Sequence, residues 1–392
     1  MTLDEAKGHH GKIIKYFRKE ANRLTQERLA EAMGITARWL QELENTPFIS
    51  NIDTRESLVL RLGIPRSLLD LEVIDRLSPF GNIPLDTWIV DSWENETDSR
   101  WELYYASNNR ITERGLFEQM GKLEEHADTN PSDERRVMSI LVQNYQLAGS
   151  LARDNFRYSN AKKYFREAHR LATQAESIDL AAMSVERLAV VHLRQEHFEE
   201  ALNTYQEALK VAERSQSYIK AYIWMGLGEA FARNKKADDC YRALDQAQKF
   251  LIRRPFNPLE KDIAHIRFSM ESIESTRGEC SVLLGEPLKG LDYLQAASRK
   301  LDPTMSRRRC RLLMQEAEAY LVADLPDNCV DKTLQGLQLA QALISKENVN
   351  WACEIYTKFL ASRWRDEPMV GQLRKAIVVT LREMQHHDTD RT

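Results

Sequence analysis

The sequence predicts an all-α fold in two parts, a bundle of five short helices followed by a longer array of paired helices. Three observations predict it. Only 15 Gly and 11 Pro occur in 392 residues, too few for a turn-rich β fold. Apolar residues recur at helical spacing, as where Ile13 and Ile14 stand four and three residues before Phe17. From about residue 140 a pattern of small and aromatic residues repeats.

Composition narrows the function classes. The chain is 43% apolar and 29% charged, with a formal net charge of −4, which argues against wholesale nucleic-acid coating but leaves room for a local DNA-reading face. No apolar run approaches the ~20 residues of a membrane helix. The opening MTLDEAKGHHGK has no apolar core, so a cleaved signal is not expected. The five Cys are widely spaced and form no C-x-x-C, so neither a disulfide framework nor a zinc site is expected. A reducing cytoplasm is the expected location.

Residues 12–71 read as five helices. Thr25 is placed to cap Gln26–Met33, with Arg28 where a capping-box Glu would stand. Gly34 ends that helix, and Thr36 caps Ala37–Asn45. Two helices joined by Met33-Gly34-Ile35-Thr36 make a helix-turn-helix. This stretch, LTQERLAEAMGITARWLQELEN, resembles the Xre/Cro/CI repressor family. Gln26, Leu29-Ala30, Gly34 and Leu43-Glu44-Asn45 carry the resemblance. The following IDTRESLVLRLGIPRSLLDL resembles the family's last two helices, with Leu58, Leu62, Ile64 and Leu68 as core.

The resemblance implies a five-helix, lambda-repressor-like domain over residues 1–76 whose third helix enters the major groove of double-stranded DNA. On this sequence Ala37, Arg38, Gln41 and Glu42 would reach base edges, Arg38 reading guanine and Gln41 adenine. Gln26 and Thr36 would hold phosphates, helped by Arg23 and Arg28. Residues 1–76 carry 12 Lys and Arg against 12 Asp and Glu. A formally neutral domain attracts phosphate weakly, so it needs dimerisation to bind DNA well, or else its helices bind protein.

Residues 77–99, with Pro79, Gly81, Pro84 and the acidic run Glu94–Asp98, read as a linker and connecting helix. Trp88, Trp93, Trp101, Tyr104 and Tyr105 are expected to pack it onto the next domain. Residues 100–392 read as helical repeats, opened by a degenerate pair over 100–127. Units fall near 140–175, 181–213, 220–252, 262–301 and 309–343, with a cap over 350–384. The small residue opening each second helix recurs at 161, 201, 240, 290 and 329. Arg253–Pro258 reads as a loop between the third and fourth units that lengthens the third spacing. Gly149, Ala189 and Gly228 are expected to let paired helices approach, with Tyr205, Phe231 and Tyr320 filling gaps. Cys240 and Cys329 fall at buried positions. The units resemble the tetratricopeptide repeat, W-x-x-L-G-x-x-Y…A-x-x-x-F-x-x-A, with a longer period than the family's ~34 residues. That resemblance implies a right-handed superhelix with a concave face.

Helical registry aims Gln143, Gln146 and Arg153 into the groove, then Glu186, then Tyr222, Met225 and Glu229, then Glu279, then Arg311, Met314 and Glu318. Glu229, Glu279 and Glu318 share one position in three units, so they either clamp a cationic or amine ligand or form a solvated charged face. Arg307-Arg308-Arg309 with Arg311 is the densest basic cluster. It reads as a solvated loop or as a contact for phosphate or an acidic partner.

A repressor-type domain joined to such repeats resembles the RRNPP family, the peptide-pheromone-responsive, quorum-sensing regulators of Gram-positive bacteria. That implies a homodimer, a peptide or protein effector in the groove, and DNA binding reset by that effector. No Asn recurs at an inward position to hold a peptide backbone. The alternative is an interaction scaffold whose first domain only dimerises. No nucleotide-binding, zinc-protease or hydrolase motif occurs, so no enzyme activity, cofactor or metal is expected.

Overall fold

The computed structural model describes residues 3–6, 8–33, 35–49, 51–69, 71, 85–129, 134–253 and 262–389, and all regular elements among them are helical. The chain divides into two units, Met1–Trp88 and Ile89–Thr392. Each is built differently.

The first unit contains α1 (Leu3–Ala6), α2 (His10–Tyr16), α3 (Gln26–Met33), α4 (Ala37–Asn45) and α5 (Ile52–Leu62). A single π turn, Phe17–Ala21, extends α2, and a 3-10 turn, Arg66–Leu69, follows α5. Side-chain caps fix where the helices start. Thr25 Oγ1 accepts the Arg28 N–H at 3.3 Å, Thr36 Oγ1 the Trp39 N–H at 3.2 Å, and Asn51 Oδ1 the Thr54 N–H at 2.8 Å. The turn residue Gly34 and the connector residues Pro79, Gly81 and Pro84 lie outside the described residues.

Ile13, Ile14, Leu29, Leu40 and Leu58 form the core with Leu62, Ile64 and Leu69, while Leu68 is half-buried. A Cβ on Gly11 would lie 2.5 Å from the Glu44 carbonyl oxygen, so α2 can lie against α4 only with Gly there. Beside that contact the Arg18 guanidinium forks onto the buried Glu44 carboxylate, with Nη2 3.0 Å from Oε2. The pair ties α4 to the end of α2.

The second unit starts earlier than the sequence places it. α6 (Leu85–Ala106) is one 22-residue helix, and Val90, Trp101 and Tyr104 on it are buried in this unit's core. Most of the expected linker is thus a packed helix. α7 (Asn109–Glu113) and α8 (Leu116–Thr129) complete the degenerate opening. Then come pairs: α9 (Glu134–Asp154) with α10 (Tyr158–Gln174), α11 (Ile178–Arg194) with α12 (Phe198–Val211), and α13 (Ser217–Arg233) with α14 (Ala237–Arg253). The series continues with α15 (Met270–Leu283) and α16 (Pro287–Lys300), α17 (Ser306–Val322) and α18 (Pro326–Ala342), and the cap α19 (Lys346–Leu360) and α20 (Pro368–Thr389).

Small residues set the spacing within pairs. A Cβ on Gly149 would come within 2.5 Å of the Phe165 ring, and one on Gly228 within 2.9 Å of Leu244. Ala189 and Tyr205 are buried in one core with Phe231 half-buried beside it, and Tyr320 is half-buried against a later cluster around Met314 and Ala317. Cys240 and Cys329 are buried free thiols.

Seven turns between helices follow one plan. Phe156, Glu176, Glu196, Lys235, Asp324 and Ile344 all have φ between 49° and 60°, and Gly285 takes the same place with φ 88°. The following N–H then reaches back to the preceding helix, as His197 N to His192 O at 3.0 Å. This is the left-handed helix ending normally given to Gly, here built from ordinary residues.

One expectation needs correcting. The fourth unit does not begin as helix at 262. Residues 262–269 form an irregular strap that buries Ala264, Ile266 and Phe268.

Candidate functional site

Two places carry functional candidates, one in each unit. In the first, α4 buries Leu40, Leu43 and Glu44 and leaves Arg38, Trp39, Gln41 and Glu42 exposed. The amphipathic pattern demands this split: the core uses one face and the other is open. Arg38 Nε lies 3.6 Å from Glu42 Oε1, and both side chains are largely in water. Thr36 and Ala37 open the helix at the same end. Arg23 and Arg28 are exposed near α3. Gln26 is placed differently from expectation. Its amide donates to Glu44 Oε2 at 2.7 Å, so it supports the Arg18–Glu44 pair instead of standing free for phosphate.

In the second unit the first helix of each pair faces a lumen of about 240 Å³. Its wall is a network of arginines and carboxylates drawn from distant parts of the chain. Asp154 receives Arg153 at 2.8 Å and Arg307 at 3.1 Å. Arg307 also donates to the Tyr104 carbonyl at 2.6 Å, closing α17 onto α6. Arg308 meets Glu271 at 3.1 Å, and Arg194 meets Glu347 at 2.9 Å. The sequence reading of Arg307–Arg309 as a solvated loop is therefore corrected: Arg307 and Arg308 are built into the lumen wall, and Arg309 alone is exposed. The helical phase of α17 explains the difference, since 307, 308 and 311 share one face and 309 does not.

The carboxylate column is corrected too. Glu279 takes Arg233 and Arg311, each at 2.9 Å, and Glu229 takes Arg233 at 3.0 Å. Glu318 receives Lys358 and, at 3.2 Å, the Trp351 indole N–H. None of the three is left to clamp a ligand. Burial pushes the Glu279 carboxyl up, but Arg311 and Arg233 outweigh it and hold it at about 2. Glu186 is the opposite case: burial pushes it up to about 7, with Arg187 and Arg153 only partly offsetting.

Three groove assignments fail for packing reasons. Met314 is fully buried, with its Cε where a Cβ on Gly336 would lie at 2.6 Å, so it belongs to the core between α17 and α18. Gln146 is buried and bonds Leu180 O at 2.9 Å and Ser184 Oγ at 2.8 Å. Gln143 is taken by the strap, its Oε1 lying 2.8 Å from His265 Nε2. Arg153, Glu186, Tyr222, Met225, Glu229 and Arg311 do line the lumen.

The strap accounts for much of what the sequence missed. His265 stacks on Trp101 with centroids 5.2 Å apart, and Tyr105 OH donates to His265 O at 2.5 Å. Arg187 donates to Ala264 O at 2.7 Å, Arg308 to Ile266 O at 3.2 Å, and Phe268 meets Tyr222 edge-on at 5.5 Å. An extended segment of the chain thus lies across the inner faces of α6, α9, α11, α13 and α17. Its alternation of buried Ala264, Ile266 and Phe268 was a legible signal for a non-helical segment seated on protein.

Residues 139–214 match the tetratricopeptide repeat family. No curated protein matches. Among solved structures, BtubC (BKLC) from P. vanneervenii is similar at 15% identity, covering 59% of this chain and 93% of its own, with a TM-score of 0.41. The matched segment spans α9 to α12, the repeats that present Arg153 and Glu186 to the lumen. Such repeats are protein-interaction modules. Among the described residues, no helix is long and apolar enough to cross a membrane.

Proposed function

We propose that the chain is a DNA-binding transcription regulator whose repeat unit takes a peptide effector. The observation that carries the first half is the division of α4. Its inner face is consumed by the core, while Arg38, Gln41 and Glu42 project from a capped, open helix start. That is the arrangement by which a helix offers side chains to base edges. The second half is supported by the repeat match and by a lumen walled with aromatic, apolar and charged groups. In this reading a homodimer presents two α4 helices to half-sites, and the effector resets their presentation. The test is anisotropy titration of duplex DNA at low and moderate salt. Sequence-selective, salt-dependent binding that Arg38→Ala weakens supports the reading; no binding to any sequence at low salt removes it.

A second reading is a scaffold whose first unit dimerises without reading DNA. The balance of 12 basic and 12 acidic residues over positions 1–76 favours it. It predicts a stable protein partner and no retention on DNA columns.

A further inference from the structure

Within the lumen the polar groups fall into two sets. Most arginines and carboxylates are satisfied by each other, as described above. Glu186 is not. Its side chain is 3% exposed, yet among the described residues it makes neither hydrogen bond nor ion pair. Its side chain lines the lumen, so the carboxylate is left to the cavity and not to another protein group. The nearest arginines are engaged elsewhere. Arg153 is on Asp154 at 2.8 Å, and Arg187 turns to Ala264 O at 2.7 Å and stacks over Trp101 at 4.9 Å.

Two phenols share the same wall. Tyr205 on α12 and Tyr222 on α13 line the lumen, and Tyr205 OH reaches α13 one turn from Tyr222, lying 2.7 Å from where a Cβ on Gly226 would stand. Glu186 follows Val185 on α11, which packs in one core cluster with Tyr205 and Tyr222, and all three groups line the same lumen. Burial first, and then the Glu186 charge, push both phenols up. Val190, Leu193 and Met225 supply apolar surface beside them.

We propose that Glu186, Tyr205 and Tyr222 form a seat for a primary ammonium group of the effector. An ammonium has three N–H donors and no acceptor, and the seat offers one carboxylate and two phenolic oxygens. Tyrosine faces add attraction for a cation held out of water. The apolar residues beside the seat accept the carbon stem. This rests on the reading of the lumen as the effector's place, and it names what that effector must carry: a free N-terminal amine or a lysine.

The test uses the full chain at about pH 8, above the Glu186 pKa of about 7, with n-butylammonium as the probe and n-butanol as its neutral isostere. Calorimetry is expected to show ammonium binding, no butanol binding, and at least a tenfold weakening in Glu186→Gln. Glu186→Gln removes a buried unpaired charge, so its melting temperature is expected to equal or exceed that of the parent, which separates loss of the seat from loss of the fold. Equal binding to Glu186→Gln, or none to the parent, overturns the seat. Ala-Ala-Ala amide, its N-acetyl form and N-acetyl-Ala-Lys-Ala amide then separate the two amine sources. If butylammonium binds through Glu186 but no peptide does, the seat stands and the peptide-effector reading falls. If peptides bind the Glu186→Gln protein unchanged, the lumen reading stands and the seat falls.

Discussion

Arg38 and Glu42 on α4 lie 3.6 Å apart with side chains 89% and 64% exposed; Arg311 of the lumen wall and Glu279 behind it lie 2.9 Å apart at 33% and 7%. The residue types are the same and the settings are opposite. On α4, water screens the pair, so it contributes little to stability and both side chains remain free to turn toward another molecule. In the lumen, burial makes each charge depend on its partner, and the pairs join helices far apart in sequence. Solvent access, not residue type, separates a surface built to meet a partner from a wall built to hold shape.

The largest expected effect comes from breaking the lumen wall. Glu279→Ala leaves Arg233 and Arg311 without their shared carboxylate, a loss of about 3–5 kcal/mol for a buried pair. Urea denaturation checks it. The pH dependence carries two opposite signs. Glu279 sits near 2 in the folded chain, below its ordinary 4.5, so its contribution is present above 4.5 and lost as pH falls toward 2. Glu186 sits near 7, above its ordinary 4.5, so stability is higher below 4.5 and declines as pH rises through 7. Glu186→Gln is expected to flatten the stability profile between those two values, and a profile unchanged there contradicts its burial without a partner.

Next is the close approach of α9 and α10. Gly149→Ala drives a methyl to within 2.5 Å of the Phe165 ring, at a cost of about 1–3 kcal/mol by thermal melting. The exposed side of the comparison predicts the reverse pattern. Arg38→Ala is expected to change stability by less than about 0.5 kcal/mol while lowering DNA affinity tenfold or more. Smallest is the relief of a left-handed turn. Glu196→Gly, at φ 60°, is expected to stabilise by up to about 1 kcal/mol.

The repeats were legible because packing leaves a periodic trace: Ala161, Ala201 and Cys240 recur where helices must approach, and all three are buried. The caps at Thr25 and Thr36 were legible because the hydrogen bond is local. The lumen was legible only in part. Registry placed Glu186, Tyr222 and Arg311 on the inner face, but it says nothing of which charge meets which. Arg307 finds Asp154 across 153 residues, and no periodicity encodes that pairing. The strap's alternation could be read in the sequence, but not where the strap seats. Its partners, Trp101, Gln143, Arg187 and Arg308, come from four helices, so only tertiary closure shows its seat. The helix-ending turns were missed because six of the seven use residues other than Gly.

The proposed reading of DNA by the open face of α4 is decided by selection of genomic fragments with the purified full chain at low and moderate salt, followed by sequencing. Recovery of a two-fold symmetric motif, lost with Arg38→Ala in a protein that melts normally, is the predicted result. Recovery of no motif by a folded, dimeric protein would contradict it and leave the chain a scaffold.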